Sequence, residues 1–379
     1  MRRARTVPDP PGVDGRRVDP RHDERTAARL GIALGVGFTV CLVTGVYSHL
    51  LQHPVSWLPV AAAPAGTYRV TQGLHVLTGI ACVPLLLAKL WSVYPKLFTW
   101  PPVRSPAHAV ERVSLVPLVG GALFQLWTGI ANIDLWYPLP FFFPAGHWYV
   151  AWITVGAVVV HVGAKMATTR EALARAPEPP SVTAERRRFL GLIGAGSALL
   201  VGATAGMTVR PLERLALLSP RLPSVGPQGL PVNKTAAEAG VVDAASAVDY
   251  RLAVGGAVRR PLALTLADLE AMPQHEAVLP IACVEGWSAS ARWRGVRLGD
   301  LLDAAGADAD ARVTVHSLED GLYGSSEVTA SQARAEDLLL ALRLDDEPLD
   351  LDHGFPVRLI GPNRPGVAQT KWLARVEVR

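Results

Sequence analysis

LPIACVEGWSASARWRGVRLGDLL, residues 279–302, decides how the C-terminal part of this chain is read. Residues 277–282 are a short apolar run of the kind that forms a buried strand, and Cys283 closes it. A Gly286-Trp287 turn follows, then Trp293, Gly295 and an amphipathic helix expected to start within 296–302. The chain has 3 cysteines, and Cys41 and Cys82 lie far upstream in long apolar segments, so Cys283 has no disulfide partner in its own domain. A lone cysteine is ordinarily a small buried hydrophobe. Here Gly and Trp punctuate its surroundings, and a second polar constellation closes the chain: His353-Gly354-Phe355-Pro356-Val357-Arg358, Gly361-Pro362, Gly366, then Gln369-Thr370-Lys371-Trp372-Leu373.

Working outward, the chain is 50% hydrophobic with a mean hydropathy of +0.24, too apolar for a wholly soluble enzyme and too polar for a membrane protein alone. The two characters are segregated. Residues 1–29 are rich in Arg and Pro and free of aromatics, which suits a disordered cytoplasmic tail. Five apolar segments follow, about 30–51, 70–94, 113–133, 147–166 and 189–209, each near the roughly 20 residues a bilayer span requires. Four of them form an expected transmembrane bundle over 30–166, residues 167–188 a cytoplasmic loop, and 189–209 a fifth span. The second and fourth links carry Lys96 and Arg104, then Arg170, Arg175 and Arg186 to Arg188, whereas the first and third carry only Arg69. This places the N-terminus in the cytoplasm and everything after the fifth span outside. The net charge of +4 is topological and calls for no nucleic acid.

Residues 210–231 read as a Pro/Leu/Ser-rich linker. Beyond them, β-type runs at 250–254 and 312–317 interleave with helical ones at 266–272, 298–305 and 335–342. This is the pattern of an α+β domain over 232–379. No GxGxxG fingerprint, Walker loop, HExxH or CxxC is present, which excludes the common nucleotide and zinc readings.

Three separated motifs, Pro231-Val232-Asn233-Lys234, the Cys283 segment and DHGFPVR through KWL at 352–373, occur together and in order. They resemble the molybdopterin domain of the sulfite oxidase family. The wording C-V-E-x-W-S after the cysteine is most similar to the methionine sulfoxide reductase catalytic subunit branch. The resemblance implies a molybdenum-molybdopterin cofactor with Cys283 as the protein's thiolate ligand, the soft donor such a metal takes. It also implies cofactor contacts from Asn233, Ser317, His353, Arg358, Gln369, Thr370 and Lys371, with arginine and lysine suited to the pterin phosphate. Sulfite oxidases carry an arginine before the asparagine, where this chain has Val232, and this departure puts sulfite in doubt as the substrate.

The first four spans show a two-fold repeat, Leu42-Val43-Thr44-Gly45-Val46 against Leu126-Trp127-Thr128-Gly129-Ile130, each followed by a helix with a histidine near its outer end, His75 or His147. Such a two-plus-two bundle is similar to cytochrome b561-like anchors, which implies a b-type haem held by His75 and His147. No second, inner haem is expected, because Lys89 stands where a partner for His161 would be. Arg186-Arg187-Arg188-Phe189-Leu190 resembles a twin-arginine export signal, which implies the twin-arginine translocase as a partner during export. The expectation is a multi-pass cell-membrane molybdoenzyme with its α+β domain outside. It would exchange electrons with a quinone or another membrane carrier and act on a small S- or N-oxide-type substrate. A sulfite dehydrogenase-like oxidase and a metal-free tethered binding module are the alternatives.

Overall fold

The computed structural model describes residues 19–379 apart from 56, 59, 98–102 and 104. Five long helices come first: α1 (Glu24–Gln52), α2 (Thr67–Leu97), α3 (Pro106–Ile133), α4 (Phe143–Ala174) and α5 (Pro180–Ala205). All five are long and apolar enough to cross a bilayer. All five begin before their apolar segments, and α1, α2 and α4 also run past the far ends, because capping and proline, not hydropathy, set where a helix begins. Asp23 caps α1 by accepting the Arg25 N–H at 3.1 Å, and Ser105 caps α3 by accepting that of His108 at 3.1 Å. Prolines preset the first turns of α3, α4 and α5.

The boundaries shift accordingly. Residues 24–29 of the expected tail are helix, while residues 1–18 of it and Arg104 lie outside the described residues. α4 runs on to Ala174 and α5 starts at Pro180, so the link is 175–179 and the arginine run Arg186 to Arg188 lies inside a helix. α5 ends at Ala205, short of 209.

α1 packs on α2 and α3 on α4, so the sequence repeat corresponds to two helical hairpins, and α5 lies against α2. At one end a polar knot ties the bundle. Buried Arg186 pairs with Asp23 at 3.0 Å and with Glu178, and its Nε donates to Thr26 Oγ1 at 2.9 Å. Arg25 Nε donates to the Ala172 carbonyl at 3.0 Å.

The second half is α+β: α6 (Val242–Ala245), β1 (Leu252–Gly256), β2 (Leu262–Leu264), α7 (Leu266–Ala271), β3 (His275–Ala282), β4 (Ser288–Arg297), α8 (Leu298–Ala305), β5 (Val313–Ser317), β6 (Ser325–Val328), α9 (Ala330–Ala333), β7 (Leu339–Leu344), β8 (Glu347–Pro348), β9 (Arg358–Ile360) and β10 (Leu373–Val378). One sheet runs β2-β1-β10-β5-β6, with β1 and β10 parallel and the other pairs antiparallel. The other runs β3-β4-β7-β8, with β9 also on β7.

Two expectations fail here. Residues 296–297 end strand β4, and the helix starts only at Leu298. Residues 335–342, read as helical, lead into strand β7, whose Leu339 to Leu342 are buried on both faces. A continuous apolar run of that length fits a buried strand as well as a helix.

The linker is packed rather than free. It contains 3-10 turns at Arg210–Leu215 and Pro227–Gly229, Arg221 reaches Glu285 at 3.1 Å, and Leu230 is buried. One apolar cluster joins the two halves: Val76 of α2 and Met207 just after α5 pack together with Leu230, Ile281, Cys283, Trp287 and Trp293.

Candidate active site

β3 and β4 form a hairpin whose tip carries Cys283. The Cys283 N–H donates to the Trp287 carbonyl at 2.9 Å, and the Gly286 N–H donates back to the Cys283 carbonyl at 3.0 Å. Gly286 turns the chain at φ +98°, where a side chain is strained. The Cys283 thiol is 2% exposed. Burial first, then the Glu285 carboxylate, pushes it well above its ordinary range, so free thiolate is disfavoured until a cation supplies the balancing charge. Glu285 is itself raised by burial and held by two donors, Arg221 and the Trp287 indole N–H at 3.0 Å.

The C-terminal constellation folds over this tip. A 3-10 turn, Leu351–His353, ends at Gly354 in a left-handed conformation (φ +106°), where a Cβ would lie 3.0 Å from the Lys371 Cβ. That close approach brings Lys371 against the turn, and its ammonium donates to the Asp352 carbonyl at 3.0 Å and to that of Lys234. Burial, reinforced by the Arg358 guanidinium, pulls Lys371 down to about 7. Arg358, on β9, donates to the His353 carbonyl at 3.1 Å and lies 5.5 Å over the Trp293 ring. Burial lowers it to about 10, and its Nε is buried with no hydrogen-bond partner. His353 donates Nε2–H to the Pro227 carbonyl at 2.7 Å, and burial takes it down to about 4, so the ring is neutral.

A cleft opens among these groups, lined by Val232, Asn233, Cys283, His353, Arg358 and Lys371, with Pro231, Ile281, Trp287, Asp352 and Gly366 completing the wall. Five sequence-selected residues thus converge: Asn233, Cys283, His353, Arg358 and Lys371. Three do not line it. Ser317 Oγ donates to the Lys371 carbonyl at 2.8 Å and accepts the Glu319 N–H at 3.0 Å, so it braces the lysine loop from behind. Gln369 donates to the carbonyls of Pro280 and Arg364, and Thr370 is 2.7 Å from Ser326 Oγ. Neither lines the cleft, to which this loop contributes Gly366 and Lys371.

Sequence reading missed Arg364, 3% exposed, which shapes this loop through the Ala368 and Glu327 carbonyls and Gln332 Oε1. It also missed the Arg221–Glu285 pair, whose members lie far apart in the chain. Among the described residues no three His, Cys, Asp or Glu side chains cluster as a metal cage. The buried Arg358 Nε without an acceptor and the depressed Lys371 are donors awaiting an anion, so the residues fit a phosphate-bearing pterin.

The second constellation lies in the helices. His75 on α2 and His147 on α4 approach with ring centres 6.2 Å apart. His75 Nδ1 faces the Cys41 carbonyl and Thr44 Oγ1, each at 3.0 Å. A carbonyl only accepts, so Nδ1 carries the proton and Nε2 keeps its lone pair. Thr128 Oγ1 donates to the Phe124 carbonyl at 2.7 Å and so accepts from His147 Nδ1 at 2.9 Å, leaving Nε2 of that ring in the same state. The Thr-Gly repeat thereby gains a purpose: each threonine fixes a tautomer, and Gly45 leaves room for the His75 ring, whose Cε1 would be 3.2 Å from a Cβ there. Each hairpin thus contributes one ring nitrogen with its lone pair, the donor type a haem iron would take.

Residues 239–379 match the family described as oxidoreductase molybdopterin binding domain. Mitochondrial sulfite oxidase of Mus musculus is 35% identical over 157 residues, 34% of this chain and 29% of that protein. The putative protein-methionine-sulfoxide reductase subunit YedZ1 of Azospira oryzae is 38% identical over 133 residues, 35% and 48% of the two chains. The uncharacterized oxidoreductase YuiH of Bacillus subtilis is 33% identical over 129 residues, 34% and 64% of the two chains. The match thus spans at most about two thirds of any of these relatives, and it lies in the α+β half. The part of the chain that carries the match, residues 239–379, is similar to molybdopterin-binding domains of oxidoreductases.

Proposed function

We propose that this chain is a membrane-anchored molybdenum enzyme that reduces a small S- or N-oxide on the outer side of the cytoplasmic membrane, drawing electrons through its helical bundle. The carrying observation is the cleft in which Cys283 shares a wall with Asn233, His353, Arg358 and Lys371. When bound, the molybdenum-pterin supplies two-electron oxygen-atom transfer. The chain's own residues do the rest. Cys283 gives the sulfur ligand, Arg358 and Lys371 take the phosphate as charged donors, and neutral His353, pinned by Pro227, holds the turn that presents them. Glu285, with Arg221 as its counter-ion, sets a carboxylate beside the cysteine. A neutral oxide tolerates that carboxylate better than sulfite does, and Val232 beside Asn233 adds no anion contact.

Five apolar helices with basic residues concentrated at the ends and links on one side support a cytoplasmic N-terminus and an exported α+β domain. His75 and His147 would hold a b-type haem, fed by a quinol. Export already folded, by the twin-arginine route, suits a domain that receives its cofactor in the cytoplasm.

Metal analysis tests the core of the reading. Purified wild-type protein from a molybdenum-replete host should contain about one molybdenum per chain, and Cys283→Ser should lose most of it and the oxide-dependent oxidation of a reduced dye. Metal-free wild type would leave a binding module in its place.

A further inference from the structure

The loop that carries Cys283 is gripped by the helical bundle, and the grip converges on one atom. The Val284 carbonyl accepts from Gln72 Nε2 of α2 at 3.2 Å and from Asn132 Nδ2 of α3 at 3.3 Å. Tyr137 donates its hydroxyl to Asn132 Oδ1 at 3.1 Å, which fixes the amide with its NH2 toward Val284. Gly286 is wedged in the same joint: a Cβ there would lie 2.2 Å from the Met207 Cε and 3.1 Å from a Val76 methyl. The Ser288 N–H donates to the Met207 carbonyl at 2.9 Å, and Arg69 reaches Ser290 Oγ at 3.1 Å.

The positions of the two donors matter more than their number. Gln72 precedes His75 by one helical turn, and Val76, which packs on Gly286, is the residue after His75. Asn132 follows Thr128 by one turn, and Thr128 holds the His147 ring. His75 is therefore linked to the carbonyl next to the cysteine through one turn of α2 and one amide hydrogen bond, and His147 through its bond to Thr128, one turn of α3 and one amide hydrogen bond. Electron tunnelling weakens steeply across gaps and less so through bonded atoms. The two amides themselves carry no charge, so they add little rearrangement when charge moves.

Resting on the haem and molybdenum sites proposed above, we infer that Gln72 and Asn132 are positioning residues that make the Val284 carbonyl a fixed electron junction, so that transfer occurs within one chain with no docking step. Per turnover, a quinol gives up two electrons and two protons on the membrane side. The electrons cross the junction one at a time, and the S-oxide takes both with two protons to give a thioether and water.

The test uses the full-length protein with its cofactors, reduced, then mixed with dimethyl sulfoxide. In Gln72→Leu/Asn132→Leu, the haem band should keep its intensity and molybdenum content its wild-type value. The rate at which dimethyl sulfoxide re-oxidises the haem should fall roughly tenfold, while dye-driven reduction of the same oxide changes by less than about twofold. Amide exchange at Gly286 and Ser288 should accelerate, a readout independent of turnover. A wild-type rate of haem re-oxidation in the double variant overturns the junction while leaving the two sites standing. A wild-type protein with no haem band removes the haem reading, and the junction with it.

Discussion

Lys371 is the residue whose environment and purpose are most at odds. In the cofactor-free domain its ammonium is buried beside the Arg358 guanidinium, which is why it falls to about 7 from an ordinary 10.5. Between those two values the unfolded chain binds a proton that the folded chain does not, so stability rises with pH through that window and the burden is full below it. We expect cofactor-free protein, made in a host that lacks the pterin, to show a urea midpoint that climbs from pH 7 to 10. Lys371→Met should flatten the climb and gain up to a few kcal/mol at pH 7. An unchanged slope in the variant would mean that another group carries it. Cys283, Arg358 and Lys371 were legible because the motifs that hold them are contiguous and rich in Gly, Pro and Trp. Arg221 and Arg364 were not, since an arginine whose partners come from distant segments leaves no local pattern.

At the scale of the element, hydropathy revealed the five helices but not their ends, and periodicity placed β3 and α8 but mistook the approach to β7 for a helix. Ends depend on single caps, and a strand buried on both faces has no alternation to read. The start of α5 shows what such local reading omits. Arg186 and Arg187 form one motif in sequence, yet Arg186 is 3% exposed and bonded to Asp23, Glu178 and Thr26, while Arg187 is exposed. Stability should separate the two arginines. Arg186→Met leaves Asp23 and Glu178 only their longer ion pairs, with Arg175 at 3.8 Å and Arg25 at 3.6 Å, and should cost about 1–3 kcal/mol, and Arg187→Met should stay within about 0.5 kcal/mol. Thermal unfolding in detergent checks the pair. Equal losses would place the knot's strength elsewhere.

For the whole molecule, the decisive fact is that the two halves share a core. Val76 and Met207 bury their side chains in the same cluster as Cys283 and Trp287. Asn363 is seated in the link between α1 and α2: its Oδ1 accepts from the Tyr68 N–H at 2.8 Å, its Nδ2 donates to the Ala61 carbonyl at 2.7 Å, and its own N–H donates to that of Ala65 at 2.9 Å. Every polar group of that side chain is satisfied from across the boundary, and an amide so buried is costly to orphan. The linker over 210–231 is therefore not what keeps the α+β domain in place. If a protease site is inserted at Ser224 and cleaved, the fragments should elute together in mild detergent and keep their molybdenum. Adding Asn363→Leu, which leaves the Ala61 carbonyl and the Tyr68 N–H unpaired, should cost about 1–3 kcal/mol per orphaned group and let the cleaved fragments part. Fragments that separate without the substitution would show that the linker, rather than the shared core, carries the assembly.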